Sequence, residues 1–438
     1  MKILKKHIAE FNQPDSLMVV SSFPQKKAEI ASKDALARYT YLLVKNFPKN
    51  QKLVIFSEKS GESSSYLIGD NILVVPSFSK NSPLFFLELI KNIATFSLAK
   101  NLLFQFEFSV YGGKRTFSGI ILLLTWLKAN AVNVTTALHQ VILDLKPLHG
   151  HLGVKKNSTW TKILNRLLSA FYRAVGFLSN KVVVHDRLLA KRLLGLVNEG
   201  KLEVISHGID KTKKFSKSFE VKSRKHFGFK RDEKVVTLFG YHSWYKGTDW
   251  IVKTAGQIAK ENPNRKIKLF LAGDKSPTLK DTKAYKAYSK KLEKFISENE
   301  KSVVVSGFVP EKDVKKVYAA SDVVVFPYRT KMSASGPLAL AWQYQKPFLL
   351  SSNLRPGVAE DLGDKMNKDG VFFNMNKKDF GTKLFSVLSK AALKRQLEKA
   401  GKEISEERSW KAAALQYRNV SLKPKAVKIA SYGAYATK

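Results

Sequence analysis

The stretch at residues 323–352 constrains the fold more than any other part of this sequence. It begins with an apolar run, continues through a loop and an apolar helical segment, and ends with a second apolar run after Lys346 and Pro347. Continuous apolar runs rich in β-branched residues are typical of buried parallel strands, and the segment between them has the length of a crossover helix. We therefore interpret this stretch as a βαβ unit.

The loop inside this unit contains Ser333, Ser335 and Gly336 directly before the helical segment. Such a loop lies at the carboxyl end of the first strand, where backbone N–H groups and the helix dipole favour a phosphate. Serine and glycine also occur in these loops merely to cap a helix and to turn the chain. The loop is a candidate phosphate site, and a simple N-cap is the alternative.

Strand and helix patterns alternate over most of the 438 residues, a length that favours two domains over one core. The stretch after residue 210 is strongly basic and poor in apolar residues, which is typical of an exposed connection. We predict the following organisation: an N-terminal arm at 1–15, a first Rossmann-like domain at 16–210, a basic connection at 211–232, a second Rossmann-like domain at 233–400, a final helix that crosses back to the first domain at 401–421, and a loose tail at 422–438.

The charge of the chain indicates an anionic partner. Lysine and arginine number 76 against 36 acidic residues, which gives a formal net charge of +40. Nucleic acid, an anionic membrane surface and phosphorylated substrates are the candidates. Cysteine is absent, which excludes disulfides and thiolate metal sites. The first residues lack a signal-peptide pattern, and the longest apolar run, at 119–127, is too short to span a membrane. We expect a cytoplasmic protein, soluble or peripheral.

The segment at 160–178 is the clearest amphipathic helix in the sequence. Apolar residues recur along it at helical spacing, and Lys162, Arg166 and Arg173 occupy the opposite face. We favour an ordinary helix packed on a sheet. The alternative is a basic interfacial helix that lies on anionic lipid.

A series of short motifs follows in a fixed order in the second half. These are Leu238-Phe239-Gly240 with Lys246-Gly247, Leu271-Ala272-Gly273, the run from Val305 to Val309, Ser321-Asp322-Val323, Phe326-Pro327-Tyr328, and Lys346-Pro347. Their order resembles the donor domain of the retaining glycosyltransferases of family 4. That resemblance implies an α/β protein of GT-B fold, in which two Rossmann-like domains with parallel sheets face each other across a cleft.

The first half resembles the same family more weakly. The similar residues are Gln105 to Phe108 with Tyr111-Gly112-Gly113, and Thr135 to His139, and Trp410 in the last helix also fits. By this resemblance His139 is the candidate catalytic residue, near the donor sugar and the acceptor hydroxyl. A strand-terminal histidine with a purely structural role is the alternative. Glu107, Gly112 and His207 are further candidates for the acceptor side of the cleft.

A nucleotide-sugar donor carries a diphosphate whose negative charge grows as the sugar leaves, so its site must supply positive charge and N–H donors. Lys246 is the best candidate for that charge, because it aligns with the family lysine that contacts the diphosphate. The resemblance implies these donor-binding residues: Gly240, Tyr241, His242, Lys246, Phe308, Val309, Ser333, Ser335 and Gly336. It implies no bound metal and no other cofactor, and the sequence shows no metal-ligand spacing.

The sequence departs from the family at three positions. Tyr241 stands where the family usually has arginine, and Met332 and Leu340 stand where it has two glutamates. Our leading hypothesis is still a glycosyltransferase that moves a sugar to a glycan or lipid-linked acceptor, in cell-envelope polysaccharide or glycolipid synthesis. The missing carboxylates favour a second hypothesis, a catalytically weak nucleotide- or sugar-binding subunit of an envelope-assembly complex. Charge alone favours a third, a nucleic-acid-binding protein, and no nucleic-acid-binding motif supports it.

Overall fold

A computed structural model describes residues 2–24, 34–59, 64–108, 110–111, 116–277, 279–363, 366 and 368–422 of the chain. Within these residues the strands form two separate sheets, one in each half of the chain. Among the described helices, none is both long enough and apolar enough to cross a membrane.

The first sheet has eight strands in the order β3-β4-β2-β1-β5-β6-β7-β8. All neighbours are parallel except β3, which pairs antiparallel with β4. Every residue of β1, β5 and β6 is buried, and none of these strands shows the alternation of apolar and charged residues that a half-exposed strand has. The strands are β1 (Leu17–Val20), β2 (Leu53–Glu58), β3 (Tyr66–Ile68), β4 (Ile72–Phe78), β5 (Asn101–Phe106), β6 (Asn133–Leu138), β7 (Lys181–Val184) and β8 (Leu202–Val204).

Seven helices accompany this sheet in the described part of the chain. Several begin at a side-chain cap, such as Asp34 before α2, Ser158 before α6 and Asp186 before α7. Residues predicted as an N-terminal arm form α1, and its Phe11 is fully buried in the core of the first domain. The helices are α1 (Lys2–Phe11), α2 (Ala35–Lys45), α3 (Phe85–Ile93), α4 (Phe117–Ala129), α5 (His149–Leu152), α6 (Thr159–Leu178) and α7 (Arg187–Leu193).

The second sheet has six parallel strands in the order β11-β10-β9-β12-β13-β14. The stretch that we interpreted as a βαβ unit forms β12, α12 and β13, with β12 and β13 paired in parallel. The strands are β9 (Lys234–Phe239), β10 (Ile267–Ala272), β11 (Val303–Gly307), β12 (Val323–Phe326), β13 (Phe348–Ser351) and β14 (Phe372–Phe373). The helices are α8 (Lys217–His226), α9 (Thr248–Glu261), α10 (Lys283–Ser297), α11 (Glu311–Ala320), α12 (Gly336–Gln343), α13 (Arg355–Leu362), α14 (Lys377–Ser389) and α15 (Ala391–Glu407).

The basic stretch predicted as an exposed connection contains α8, which packs against α11 of the second domain. Arg224 on α8 pairs with Asp322 at 2.6 Å, and Glu220 accepts a hydrogen bond from Lys346 at 3.0 Å. The connection is therefore shorter than predicted, because Arg224 and Glu220 hold α8 on the second domain through partners that are distant in sequence.

The last described helix, α16 (Trp410–Ser421), returns to the first domain. It packs against α2, and Asn133 at the start of β6 donates a hydrogen bond to the carbonyl of Ser421 at 2.9 Å. The crossing helix thus begins at Trp410, whereas residues 401–407 belong to α15, which packs against α12 in the second domain. The predicted tail lies outside the described residues except for Leu422.

Helix α6 packs on the first domain through one face, and most of its buried residues lie in its C-terminal half. Phe171, Tyr172 and Val175 are buried there. Toward the N-terminal end, Trp160 and Leu167 are each 58% exposed, and Phe177 at the last turn is 69% exposed. The segment is thus a helix packed on the first domain, as we favoured, and it leaves several large apolar side chains exposed.

Candidate functional site

A cleft of about 1770 Å³ lies between the two domains. The carboxyl ends of β6 in the first sheet and of β9, β11 and β12 in the second sheet all open into it, as in other doubly wound α/β proteins. Its lining includes most of the predicted site residues: Glu107, His139, His207, Gly240, Tyr241, Lys246, Phe308, Val309, Ser333, Ser335 and Gly336. Gly112 lies outside the described residues.

The loop at 240–247 brings Lys246 next to Gly240, and its backbone conformation requires glycine at both ends. Gly240 has a φ of +110°, and a Cβ placed on it would lie 3.1 Å from the Lys246 Nζ. Gly247 has a φ of +72°, and its Cβ would lie 2.0 Å from the carbonyl oxygen of Pro327. A side chain at Gly247 would therefore push this loop away from β12 and move Lys246 with it.

The ammonium group of Lys246 has no carboxylate partner among the described residues. The Lys246 side chain is half-buried, and this partial burial lowers the pKa of its ammonium group to about 8. An anionic ligand in the cleft would favour the charged form of Lys246, which burial disfavours. This lysine is therefore better suited to bind an anion than to stabilise the empty protein.

The N-terminus of α12 faces the same place. The Oγ of Ser335 accepts a hydrogen bond from Leu338 N at 3.3 Å, so the N-cap alternative is realised for this serine. A Cβ on Gly240 would lie 3.6 Å from Pro337 in the first turn of α12, and open space surrounds Gly336. The Lys246 ammonium and the positive end of the helix dipole therefore flank one position in the cleft.

The remaining serine of this loop contacts the first domain. The Ser333 Oγ donates to the carbonyl of Ala334 at 3.1 Å, and Ser333 forms an isolated β-bridge with Gln140. Next to it, Val141 N donates to the carbonyl of Met332 at 3.4 Å. Ser333 thus helps to hold the two domains together, and its hydroxyl is already engaged.

Tyr241 and His242 are adjacent in sequence, but only the side chain of Tyr241 lines the cleft. Tyr241 is half-buried and lines the cleft, and burial together with Asp274 raises the pKa of its hydroxyl. His242 is buried behind the cleft, where its backbone N donates to Asp274 O at 2.9 Å and its carbonyl accepts from Tyr285 at 2.6 Å. Burial lowers the pKa of His242 to about 4, so this ring is neutral and supports the loop from below.

Apolar side chains occupy the wall where the family carries carboxylates. Met332 is buried and Leu340 half-buried, and both line the cleft. Phe308, which is 39% exposed, and Val309 line it at the end of β11. This part of the cleft can contact a ligand through packing but offers no carboxylate at either position.

His139 lies at the carboxyl end of β6, and its two ring nitrogens are both engaged. The carbonyl of Ile205 accepts from His185 Nδ1 at 3.0 Å, so the Nε2 of His185 must accept from the Nδ1–H of His139, at 3.2 Å. The Nε2 of His139 then carries a lone pair toward the side-chain amide of Gln105, 2.6 Å away.

This tautomer requires Gln105 to present its NH₂ group to His139. Amide oxygen and nitrogen are distinguished only by their hydrogen bonds, and the amide nitrogen of Gln105 otherwise has no partner within the described residues. Burial, followed by the nearby His185 and His207, holds the pKa of His139 well below its usual range. His139 is therefore neutral, and neither nitrogen is free to accept a proton from a substrate while Gln105 stays in place.

His207 belongs to an aromatic cluster around Tyr39. The ring of Tyr39 lies 4.7 Å from that of His139, 5.0 Å from that of His207 and 5.2 Å from that of Trp410. Burial lowers the pKa of His207 to about 3, and its Nδ1 donates to the carbonyl of Gly208 at 2.7 Å. Trp410 thus joins the crossing helix α16 to the floor of the cleft.

Sequence reasoning missed the contribution of α5, which reaches from the first domain across the cleft. The ring of His149 lies 4.7 Å from Trp244, and that of His151 lies 5.0 Å from Tyr245. His151 lines the cleft, its Nδ1 has no hydrogen-bond partner within the described residues, and burial and then Lys246 lower its pKa to about 4. The only sequence signal for this contribution of α5 was the pair of histidines, His149 and His151, in the segment that follows β6.

The described residues contain no group of three or more histidines and carboxylates arranged to hold a metal ion. The positive charge that the described residues present to the cleft near Gly240 comes from Lys246 and from the N-terminal end of α12. This arrangement can hold an anionic group beside Lys246. The neutral, partly apolar side chains of the cleft wall lie near that group.

Comparisons with known proteins agree with this arrangement. Residues 233–390 match the family described as Glycosyl transferases group 1. An uncharacterized glycosyltransferase of Methanocaldococcus jannaschii is 27% identical over 154 residues, which are 34% of this chain and 36% of that protein. The chain thus spans little more than a third of the length of this curated relative.

Solved structures resemble nearly the whole chain. Sucrose-phosphate synthase from Thermosynechococcus elongatus has a TM-score of 0.66 at 14% identity, covering 93% of this chain and 98% of that one. Anabaena HepE in complex with UDP-glucose has a TM-score of 0.65 at 16% identity, covering 92% of this chain and 98% of that one. The predicted fold is confirmed: this is an α/β protein of GT-B architecture, and residues 233–390 match the model of the Glycosyl transferases group 1 family.

Proposed function

We propose that the protein is a retaining glycosyltransferase, similar to family 4, that moves a sugar from a nucleotide-sugar donor to a glycan or lipid-linked acceptor. The observation that carries this proposal is the convergence of the unpaired Lys246 ammonium and the N-terminus of α12 on one position in the cleft. A diphosphate fits there, because both groups stabilise negative charge. The retaining outcome and the role in cell-envelope polysaccharide or glycolipid synthesis rest on the resemblance of the motifs.

In this proposal the leaving diphosphate gains negative charge as the glycosidic bond to the sugar breaks. Lys246 stabilises that charge, and the backbone N–H of Gly336, at the positive end of the α12 dipole, adds a hydrogen-bond donor. His151 on α5 approaches from the other domain and can donate a hydrogen bond from its ring. No metal ion or other cofactor is part of the proposal.

A UDP-sugar is the first donor to test, because HepE, whose fold this chain shares, is known in complex with UDP-glucose. The acceptor would enter from the first domain, near Glu107 and Gln140, which lie within hydrogen-bonding distance of each other at 3.4 Å. The exposed lysines and arginines of α6 would hold the enzyme on the cytoplasmic face of an anionic membrane.

A second candidate function follows from the cleft wall. Tyr241, Met332 and Leu340 supply neither the arginine nor the two carboxylates of the family, and the two aliphatic side chains line the cleft. A protein of this kind could bind a nucleotide or a sugar without efficient transfer, as a subunit of an envelope-assembly complex. A nucleic-acid-binding role is favoured by charge alone.

Thermal stabilisation by UDP-, GDP- and ADP-sugars tests these functions. We expect one nucleotide class to raise Tm in a concentration-dependent way, since a ligand that binds only the folded state stabilises it. The Lys246→Ala variant should lose most of this shift, whereas Lys253→Ala, which changes an exposed lysine on α9, should keep it. If no nucleotide sugar shifts Tm and single-stranded nucleic acid does, the glycosyltransferase proposal is wrong. Stabilisation without transfer to any acceptor would favour the binding subunit.

A further inference from the structure

The cleft between the domains continues into an apolar arm between α4 and α6 of the first domain. The arm is part of the same cavity as Lys246 and Ser335, so a ligand can occupy both without crossing the protein surface. We define the apolar arm by the side chains that enclose it: Phe117, Ile121, Leu148, Leu164, Leu167 and Leu168.

On its α6 side, the apolar arm is lined by a stripe of apolar side chains of the kind that protein domains normally bury. Trp160, Leu164, Leu167, Leu168 and Phe171 recur at helical spacing and all line the cavity. Leu167 and Trp160 are each 58% exposed, so the described part of the chain leaves them largely uncovered. Leaving such a stripe open costs about 25 cal/mol for each Å² of apolar surface, which a bound apolar group would recover.

The α4 side shows the same excess of apolar surface. Residues such as Leu123 and Leu127 face the core, yet the opposite side of the helix carries Leu122, which is 51% exposed, and half-buried Ile121 and Trp126. A surface helix normally turns charged or polar residues outward, and one that is apolar all round is usually covered by protein or lipid.

Positive charge borders this apolar surface. Five basic side chains on α6 and just before it are exposed, and none has an ion pair in the part of the chain that the structure describes. They are Lys155, Lys156, Lys162, Arg166 and Arg173. The combination of an apolar cavity with a basic border is complementary to a molecule that has a long hydrocarbon chain and an anionic head group.

We propose that the apolar arm binds the hydrocarbon chain of a lipid-linked acceptor and that its anionic head group lies toward Gln140 and the donor end of the cleft. From Trp160 to Ala174 the lining of the cavity covers fifteen residues of helix, or about 21 Å along its axis, which suits a chain much longer than a single isoprene unit. This inference rests on the proposed function, because it names which of the two acceptor classes the enzyme uses.

Binding of prenyl monophosphates to the full chain tests the inference without any nucleotide sugar present. Equilibrium dialysis would compare radiolabelled geranylgeranyl monophosphate, below its micelle concentration, with dimethylallyl monophosphate, which has the same head group and a short chain. We expect the long-chain probe to bind at least about tenfold more tightly, because each additional buried methylene contributes favourably. Equal affinity for the two probes would overturn the inference.

A matched pair of variants separates the apolar arm from the rest of the helix surface. Leu167→Glu places a charge in the arm, whereas Ile163→Glu places the same charge one turn earlier, at a residue that is 39% exposed and outside the lining. We expect Leu167→Glu to weaken geranylgeranyl monophosphate binding about tenfold and Ile163→Glu to change it less than about twofold. Both positions are exposed enough that the variants should fold, which circular dichroism would verify.

Equal weakening by both variants would mean that the probe binds the outer surface of α6 nonspecifically, and this would overturn the inference. Binding of a UDP-sugar by wild type, without binding of the long-chain probe, would also overturn it while leaving the proposed function intact. If the long-chain probe binds as expected but no nucleotide sugar stabilises the protein, the inference about the arm stands and the proposed function fails.

Discussion

Lys331 Nζ lies 2.9 Å from the Oδ2 of Asp186, and this ion pair joins the two domains with both side chains buried. Lys331 precedes the Ser-Gly loop of the second domain, and Asp186 caps α7 of the first. The same ammonium donates to the carbonyl of Gly357 at 2.7 Å. The loop that carries Ser333 and Ser335 is therefore fixed relative to the first domain at a buried point.

We predict that Lys331→Met lowers the free energy of unfolding by about 3 kcal/mol or more, because it leaves the Asp186 carboxylate buried without its partner. Urea unfolding would measure this. The control is Arg187→Met, which removes the neighbouring pair with Glu360, whose side chains are 74% and 45% exposed. That variant should change stability by less than about 0.5 kcal/mol. Equal effects of the two variants would contradict the prediction.

We predict that Lys246→Ala reduces kcat/KM for transfer by about 30- to 150-fold, which corresponds to about 2–3 kcal/mol of transition-state stabilisation. The physical reason is that the leaving diphosphate loses the ammonium group that lies beside Gly240. Steady-state kinetics with the donor found by thermal stabilisation would measure it, with Lys253→Ala as the control. Unchanged kinetics in Lys246→Ala would mean that the diphosphate lies elsewhere.

The affinity for the donor should depend on pH because burial lowers the pKa of Lys246 to about 8. Below that pH the free protein already carries the ammonium charge, so affinity stays constant. Above it, the lysine must take up a proton before it pairs with the diphosphate, and affinity falls by up to about tenfold per pH unit. Calorimetric titration with UDP between pH 6 and pH 9 would measure this dependence.

Lys246→Arg is the control for that pH dependence, since a guanidinium stays charged throughout the range. We expect its affinity for UDP to be flat between pH 7 and pH 9. The wild type would contradict the prediction if its affinity were equally flat, because the charge of Lys246 would then not be coupled to binding.

Much of the fold could be predicted from the sequence because the signals are local. Strands such as β1 and β12 are continuous apolar runs, and helices such as α4 and α12 follow strands at the expected spacing. The order of motifs around Lys246 and Ser335 predicted that these residues lie together, and both line the cleft. Each of these features is encoded within a few consecutive residues.

The features that sequence reasoning missed depend on partners distant along the chain. Residues 211–232 are polar and basic, which predicted an exposed connection. Arg224 nevertheless forms an ion pair with Asp322, about a hundred residues later, and this pair holds α8 on the second domain. His151 becomes a cleft residue only because α5 packs against Tyr245 of the other domain. The stripe on α6 had the period of a buried face, and only the structure shows that Trp160 and Leu167 stay exposed among the described residues.

His139→Ala should lower turnover with little change in donor affinity, if the ring supports the reacting centre. Its nitrogens contact Gln105 and His185, so the substitution would also free the amide of Gln105 to move into the cleft. Single-turnover kinetics and the Kd for UDP would be measured together. The control is His149→Ala on α5, where turnover should be closer to that of the wild type. A loss of UDP affinity in His139→Ala equal to the loss of turnover would contradict a role at the reacting centre.

The last prediction concerns where the enzyme works. Exposed basic residues on α6 would each contribute about 1 kcal/mol near an anionic leaflet, while Phe177 and Ile163 contact its surface. We expect flotation with liposomes to show binding that increases with anionic lipid content and decreases as salt screens the attraction. Two variants with equal loss of charge provide the control: Lys162→Gln with Arg166→Gln on α6 should weaken binding, whereas Lys253→Gln with Lys260→Gln on α9 should not. A wild-type protein that stays in the soluble fraction at low salt and high anionic content would show that α6 does not bind membranes and that its charge is simply solvated.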